Sequence, residues 1–384
     1  MANLIKEIKA FFTRETPLAK GFYTYQSKAE DEDHYRLHLR IEPGGEGILI
    51  VNASTILHLN QSATEMVQTI MQEMSFDDAI KHLKKRYNVP KEKLEIDYNT
   101  LKNNISTLIH TTDLDPVSYL GMEREAVGKD LNAPFRLDCA ITYQLSGVQD
   151  QSSAPQDRVE KELTTKEWIQ VIQKAFNAGI PHILFTGGEP TLREDLAELL
   201  LFCERLGMVT GLLTDGSRLG DKAYLVSLLE AGLDHIMLVF DHLHKTSWDT
   251  LSMIMGEDIH TTIHLTLKPG EDLQPVIDRL AGLKIQALSL SESEPGLDLE
   301  LQTLRNLAAI HQLELVWDMP VPYSQWNPIA LELNKDETVP DMAFTNIYVE
   351  PDGDVLPAQG INKVMGNLLA DEWDAIWKKR WETQ

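Results

Sequence analysis

Phe185-Thr186-Gly187-Gly188-Glu189-Pro190 is the stretch that decides the fold, because a short strand pattern ends there in two glycines, a carboxylate and a proline. A glycine turn after a strand is common in βα folds. A second informative stretch, residues 141–152, precedes it and reads Ile-Thr-Tyr-Gln-Leu-Ser-Gly-Val-Gln-Asp-Gln-Ser. We expect the two stretches to follow neighbouring strands.

Strand and helix patterns alternate from Phe135 to His311. Six strands are predicted, at 136–143, 182–186, 208–214, 235–241, 261–267 and 286–291. Six helices are predicted, at 164–178, 193–206, 221–231, 247–255, 274–282 and 299–311. Regular alternation of this kind predicts an α/β fold with a parallel sheet and right-handed crossovers.

The two stretches, together with Thr214-Asp215-Gly216 and Val239-Phe240-Asp241, resemble the radical S-adenosylmethionine (SAM) family. The resemblance implies a partial, TIM-like (β/α)6 barrel over residues 134–320. In that family a C-x-x-x-C-x-x-C loop after the first strand holds a four-iron cluster, and a GGE-P turn receives the SAM amino group. The resemblance thus implies a vestigial SAM site formed by Gly187, Gly188, Glu189 and Pro190.

The three cysteine positions of that loop fall on Leu145, Gln149 and Ser152. Iron-sulfur clusters are held by cysteine thiolates, which none of these residues supplies. We therefore expect no iron-sulfur cluster, no radical chemistry and no bound cofactor. SAM binding stays open, since in the family the open iron also anchors the methionine group. The two cysteines of the chain, Cys139 and Cys203, are predicted to be small buried side chains.

Glu189 has two interpretations. It is either a residual carboxylate for the amine of SAM or another ligand, or a turn residue whose oxygens accept from the glycine backbone and a neighbouring arginine or lysine.

Residues 347–358, Ile-Tyr-Val-Glu-Pro-Asp-Gly-Asp-Val-Leu-Pro-Ala, resemble the auxiliary-cluster (SPASM) extension of peptide-modifying radical SAM proteins. Ala358 stands where that family has a cysteine. We expect a small degenerate SPASM-like extension over residues 321–384.

The N-terminal part, residues 1–110, predicts a winged-helix-like α+β domain of three short strands followed by three helices. Residues 33–110 resemble the PqqD-like recognition element of ribosomally made peptides, and the alternative is a generic winged-helix docking domain. In that family a leader peptide joins the exposed sheet edge as an extra strand. The peptide-binding residues implied here are those of the third predicted strand: Thr55, Ile56, Leu57, His58 and Leu59. Residues 111–133 are predicted to be a linker.

Composition limits the partners. The net charge of −24 repels phosphate backbones and anionic lipid, so we expect neither nucleic acid nor a membrane as a partner. No run approaches the ~20 apolar residues needed to cross a bilayer. A cytoplasmic protein is the simplest interpretation, since the two cysteines make no disulfide framework.

Asp241, His242 and His244 follow the fourth predicted strand, at the end where barrel active sites gather, and His264 lies on the next strand. These side chains offer an acid-base or metal site of histidine and carboxylate ligands. The other interpretation is that they are loop histidines and one core histidine, because no typical ligand spacing is present.

Three functions remain open. The first is a non-catalytic radical SAM-like pseudoenzyme that acts as a peptide-binding or scaffold partner, in a heteromeric complex, during peptide maturation or protein assembly. The alternative is a cluster-independent enzyme that uses the barrel cleft to bind SAM or a metal held by histidine and carboxylate. The third is a modifying enzyme that borrows its cluster from a partner.

Overall fold

The computed structural model of the protein describes residues 16–28, 34–111, 131–146, 156–316 and 345–380. The chain divides into two compact units, Met1–Gly128 and Lys129–Gln384. Two predicted cluster positions, Gln149 and Ser152, lie outside the described residues. The finer domain boundaries at 110, 133 and 320 stay predictions.

The N-terminal unit contains an antiparallel sheet in the order β1-β2-β3-β4. Its strands are β1 Gly21–Gln26, β2 Arg36–Ile41, β3 Gly47–Val51 and β4 Thr55–Leu59. The prediction of three strands was therefore wrong in number, because β1 pairs with β2 along its whole length. Most β1 side chains are half-buried, so its sequence lacks the clear apolar-polar alternation that identified the other strands.

Three helices follow this sheet, as the capping residues of the sequence predict. They are α1 Gln61–Met71, α2 Phe76–Arg86 and α3 Lys91–His110. Asn60 accepts a hydrogen bond from the backbone N–H of Ala63, and Ser75 accepts one from that of Asp78, so both side chains cap a helix start. The helices and one face of the sheet enclose an apolar core that includes the fully buried Leu39 and Leu83.

The C-terminal unit is built on one large sheet in the order β11-β10-β9-β8-β7-β6-β5-β12-β13-β14. The strands are β5 Arg136–Thr142, β6 His182–Gly187, β7 Val209–Thr214, β8 His235–Val239, β9 His260–Leu267, β10 Ala287–Glu292, β11 Glu314–Leu315, β12 Asn346–Val349, β13 Asp354–Leu356 and β14 Gly366–Asn367. Neighbours from β5 to β11 are parallel, and β12 runs parallel to β5. The predicted α/β fold with a mostly parallel sheet is confirmed, and β11 adds a short parallel strand that the sequence did not predict.

Helices connect these parallel strands. They are α4 Thr165–Ala178, α5 Leu196–Leu206, α6 Lys222–Glu230, α7 Lys245–Ile254, α8 Gln274–Gly282 and α9 Asp298–Ile310, and α10 Trp373–Lys379 follows the last hairpin. Thr164 and Glu167 form a capping box at the start of α4, and Gly179 ends the helix in a left-handed conformation with φ of 89°. None of the helices that the structure describes is both long and apolar enough to span a bilayer.

Candidate functional site

The double-glycine turn fixes where β6 ends against β5. Gly187 has a φ of +124°, and a Cβ atom there would lie 2.1 Å from the carbonyl oxygen of Thr142. A Cβ on Gly188 would lie 2.0 Å from the carbonyl oxygen of Gln144. The backbone N–H groups of Gly188 and Glu189 donate to these same two oxygens, at 2.8 and 2.7 Å. Only glycine permits this approach, so the backbone geometry alone requires the motif.

Glu189 is 2% exposed and bonds to neighbouring residues inside the unit. Its Oε1 accepts from the backbone N–H of Thr191 at 2.9 Å, from the Thr191 hydroxyl, and from Thr214 Oγ1 at 2.8 Å. Its Oε2 accepts from the backbone N–H of Asp215 at 2.8 Å. The donors are hydroxyl and backbone groups of the β6 and β7 ends, instead of the arginine or lysine that the sequence suggested.

Burial raises the pKa of Glu189 to about 8, with a further contribution from the nearby Asp215 carboxylate. Asp215 in turn accepts hydrogen bonds from the Ser146 hydroxyl and from the backbone N–H of Ser217. A buried carboxyl group beside a second, half-buried carboxylate thus lies where β5, β6 and β7 end. With this raised pKa, the Glu189 carboxyl is protonated near neutral pH. A cationic ligand bound beside the two carboxyl groups would favour the ionised form instead.

Arg193 is a site residue that sequence reasoning missed. Its guanidinium makes a two-point ion pair with Asp195, at 2.8 and 2.6 Å, and Nη1 donates to the carbonyl oxygens of Ile141 and Leu163 at 3.0 Å. Arg193 therefore fixes the end of β5 and the start of α4. The two acceptor carbonyls lie 52 and 30 residues from Arg193 along the chain, so no local pattern marks them.

Leu145, which the sequence resemblance aligns with the first cysteine of the family's loop, packs into an apolar cluster. It is 6% exposed and shares the cluster with Ala140, Tyr143, Tyr348 and Leu356. The last two residues belong to the β12-β13 hairpin. The Leu145 side chain therefore contributes to the core between β5 and the β12-β13 hairpin.

Polar contacts hold the chain on both sides of residues 147–155. Before them, the Tyr143 hydroxyl donates to Glu350 Oε1 at 2.9 Å, and Glu162 Oε1 accepts from the Tyr143 backbone N–H at 2.9 Å. After them, Arg158 Nη2 donates to Glu350 Oε2 at 2.6 Å. Glu350 is 3% exposed, and this shared carboxylate joins the two segments that flank residues 147–155 to the hairpin.

The other residues relevant to cluster binding are Ala358 and the two cysteines of the chain. Ala358 is half-buried just beyond β13, and its methyl side chain has no donor atom. Cys139 and Cys203 are buried and form no disulfide, as the sequence predicted. Burial raises the pKa of the Cys139 thiol well above its usual value, so the thiol stays protonated.

The residues Asp241, His242 and His244 do not converge on one point. His244 Nδ1 lies 2.7 Å from Asp241 Oδ2 in an exposed turn before α7, whereas His242 Nε2 lies 3.2 Å from Glu271 Oε1. Among the described residues, no group of three or more histidine, cysteine, aspartate or glutamate side chains is placed to hold a metal ion. The metal alternative keeps no geometric support within those residues.

The predicted peptide-binding residues Thr55, Ile56, Leu57, His58 and Leu59 form β4, which lies at an edge of its sheet. The backbone N–H of Glu42 donates to the carbonyl oxygen of Glu46, and that of Asn52 donates to the carbonyl oxygen of Arg36. These two bonds show which facing residues of β2 and β3 form hydrogen-bonded pairs. Because bonded and non-bonded pairs alternate in antiparallel sheets, the backbone groups of Ile56 and His58 point away from β3. β4 therefore presents the geometry that strand addition requires.

Comparison with known proteins gives the class of this domain. Residues 139–284 match the model of the radical SAM superfamily, so the C-terminal unit contains a radical SAM domain.

Among solved structures, the chain is similar to SuiB from Streptococcus suis. For SuiB bound to its precursor peptide SuiA, the identity is 16% and the TM-score 0.59, over 92% of this chain and 88% of SuiB. For SuiB bound to S-adenosylmethionine, the identity is 15% and the TM-score 0.56 over the same shares. At these identities the likeness is one of fold.

Proposed function

We propose that this protein is a radical SAM-like pseudoenzyme that binds a peptide through its N-terminal unit and serves as a non-catalytic partner in peptide maturation or protein assembly. Its C-terminal unit would keep the radical SAM fold without the iron-sulfur cluster. The observation that carries this proposal is the apolar cluster around Leu145.

Leu145 supports the loss of radical chemistry in two ways. Its side chain has no atom that binds iron, and its burial against Tyr348 and Leu356 gives the position a different task. Arg158, which follows residues 147–155, forms an ion pair with Glu350 of the β12-β13 hairpin. This segment is therefore joined to the hairpin without a cluster.

A peptide partner is supported by β4 and by the structural neighbour. β4 is an edge strand of the sheet formed by the described residues, and the outward backbone groups of Ile56 suit an added strand. SuiB, which has a similar fold, has been observed with its precursor peptide SuiA. The net charge of −24 favours a peptide with basic residues and disfavours nucleic acid or an anionic membrane.

Two experiments test the proposal. The first is anaerobic reconstitution of the full chain with iron and sulfide, with SAM and a reductant. We expect no stoichiometric iron and no 5'-deoxyadenosine, and stoichiometric cluster with deoxyadenosine production would overturn the loss of radical chemistry.

The second experiment is affinity capture from the native host, with bound peptides identified by mass spectrometry. Ile56→Pro removes an outward N–H of β4 and should abolish capture of a peptide seen with the wild type. Ile56→Ala keeps the N–H, and Thr24→Pro alters the opposite edge strand, so both should retain it. A peptide that binds all variants equally would exclude β4 as the docking strand.

A second candidate function is cluster-independent chemistry in the same cleft, with SAM or another amine as ligand. The raised pKa of Glu189 beside Asp215 is the observation that favours it. Calorimetry of the wild type and Glu189→Gln with SAM separates the candidates. Heat that disappears in the variant would support the second function, and no heat at millimolar SAM would exclude SAM as the ligand.

A further inference from the structure

His264 on β9 lies between two serines of the adjacent strand β10. Its Nδ1 is 3.1 Å from Ser289 Oγ, and its Nε2 is 3.1 Å from Ser291 Oγ. The parallel register places His264 beside Ser289 and Thr266 beside Ser291, so all four side chains share one face of the sheet. The imidazole is 1% exposed, whereas Ser291 is half-buried near the carboxyl end of its strand.

This arrangement has the elements of an activated nucleophile: a hydroxyl, a base in contact with it, and a third group that holds the base. We propose that Ser291 and His264 form a nucleophile-base pair for acyl transfer from an activated ester or thioester, with Ser289 as the positioning residue. The proposal goes beyond the function proposed above: that function excludes only radical SAM catalysis, and the pair adds a separate activity that needs neither a cluster nor SAM and uses different residues.

The protonation state of His264 agrees with this role. Burial lowers the pKa of His264 to about 4, so its imidazole is neutral at neutral pH. In the tautomer whose Nδ1–H donates to Ser289, the Nε2 lone pair can accept the proton of Ser291. Thr266 Oγ1 lies 3.3 Å from Ser291 Oγ and 3.4 Å from His264 Nε2, so it contacts both members of the pair.

The proposed step balances without a further reactant except water. Ser291 Oγ forms a bond to the carbonyl carbon of the acyl donor while its proton passes to His264 Nε2. The imidazolium then gives that proton to the departing alkoxide or thiolate, which leaves an acyl-serine. Water hydrolyses this ester with the same base, so the net products are an acid and an alcohol or thiol.

The substrate class follows from the orienting group. Ser289 holds the imidazole tautomer, but a neutral hydroxyl stabilises an imidazolium less than a carboxylate does. The pair therefore suits acyl donors with good leaving groups, such as thioesters and aryl esters. We do not expect it to cleave peptide bonds.

A fluorophosphonate probe tests the proposal on the full-length protein. We expect a covalent adduct on Ser291, located by peptide mass spectrometry, and no adduct with Ser291→Ala. His264→Gln, which keeps a hydrogen-bonding side chain but removes the base, should slow labelling roughly 100-fold. Ser293→Ala is the matched control, since Ser293 follows the same strand and should leave labelling of Ser291 unchanged.

Thermal unfolding of each variant shows whether it is folded. If His264→Gln does not fold, Ser289→Ala replaces it, and labelling should slow roughly 10-fold because the tautomer is no longer held. The proposal is overturned if the folded wild type acquires no adduct on Ser291, or if a folded His264→Gln or Ser289→Ala variant is labelled as fast as the wild type.

Discussion

Tyr143 donates a hydrogen bond of 2.9 Å to Glu350, a residue 207 positions further along the chain. The same carboxylate accepts from Arg158 at 2.6 Å. One buried side chain of the C-terminal hairpin therefore holds the chain on both sides of residues 147–155.

Loss of the Tyr143 hydroxyl should weaken this connection. We expect Tyr143→Phe to lower the free energy of unfolding by about 1–2 kcal/mol, because a buried acceptor on Glu350 loses one donor. Urea unfolding measures the change. In a double-mutant cycle, Tyr143→Phe and Glu350→Gln should together cost less than the sum of the single changes. Strict additivity would show that the two side chains do not act on each other.

Leu145→Ala should destabilise the C-terminal unit by about 2–4 kcal/mol, since it leaves a cavity in the cluster with Tyr348 and Leu356. The control is Leu299→Ala, because Leu299 is 83% exposed and its truncation should change stability by less than about 0.5 kcal/mol. Denaturant unfolding of both variants measures the difference. Equal effects would mean that Leu145 is not packed in solution.

Glu189 should make stability depend on pH. Its folded pKa of about 8 lies above its ordinary value of 4.5, so the folded state binds the proton more tightly than the unfolded chain. The resulting stability is complete below the unfolded pKa and is lost as pH rises through the folded pKa. Between about pH 5 and pH 8, wild type should therefore lose more stability than Glu189→Gln. Parallel pH profiles for the two proteins would contradict the raised pKa.

Arg193→Lys should destabilise by about 2 kcal/mol although the charge is kept. Lysine cannot reproduce the two-point contact with Asp195 together with the bonds to the carbonyls of Ile141 and Leu163. The exposed Arg205 on α5 provides the matched control, because Arg205→Lys should change thermal stability little. A similar shift in both variants would show that arginine geometry is unimportant at position 193.

Much of the fold could be predicted from the sequence because its signals are local. Apolar runs that alternate with capped helices gave the six parallel strands from β5 to β10, and the glycines at 187 and 188 marked the end of β6. β1 was missed because its side chains are mostly half-buried on both faces, which leaves no clear apolar-polar alternation. β11 was missed because Glu314–Leu315 is only two residues long.

The candidate site depended on contacts that sequence spacing does not encode. The sequence shows that position 145 is leucine and not cysteine. The packing partners of Leu145, Tyr348 and Leu356, lie about two hundred residues further along the chain and meet it only because β12 pairs with β5. His242 likewise faces Glu271, from a different loop, instead of its sequence neighbour His244. The sequence indicated which residues to consider for the site, whereas their contact partners followed only from the strand order of the sheet.

The close approach of Gly187 and Gly188 to Thr142 and Gln144 bears on how genomes are interpreted. A chain of this fold needs both glycines for its backbones to meet, whether or not anything binds there. A survey that counts radical enzymes by this turn therefore counts architectures and not reactions. The cysteines after the first strand are the better marker of enzymes that carry out radical chemistry.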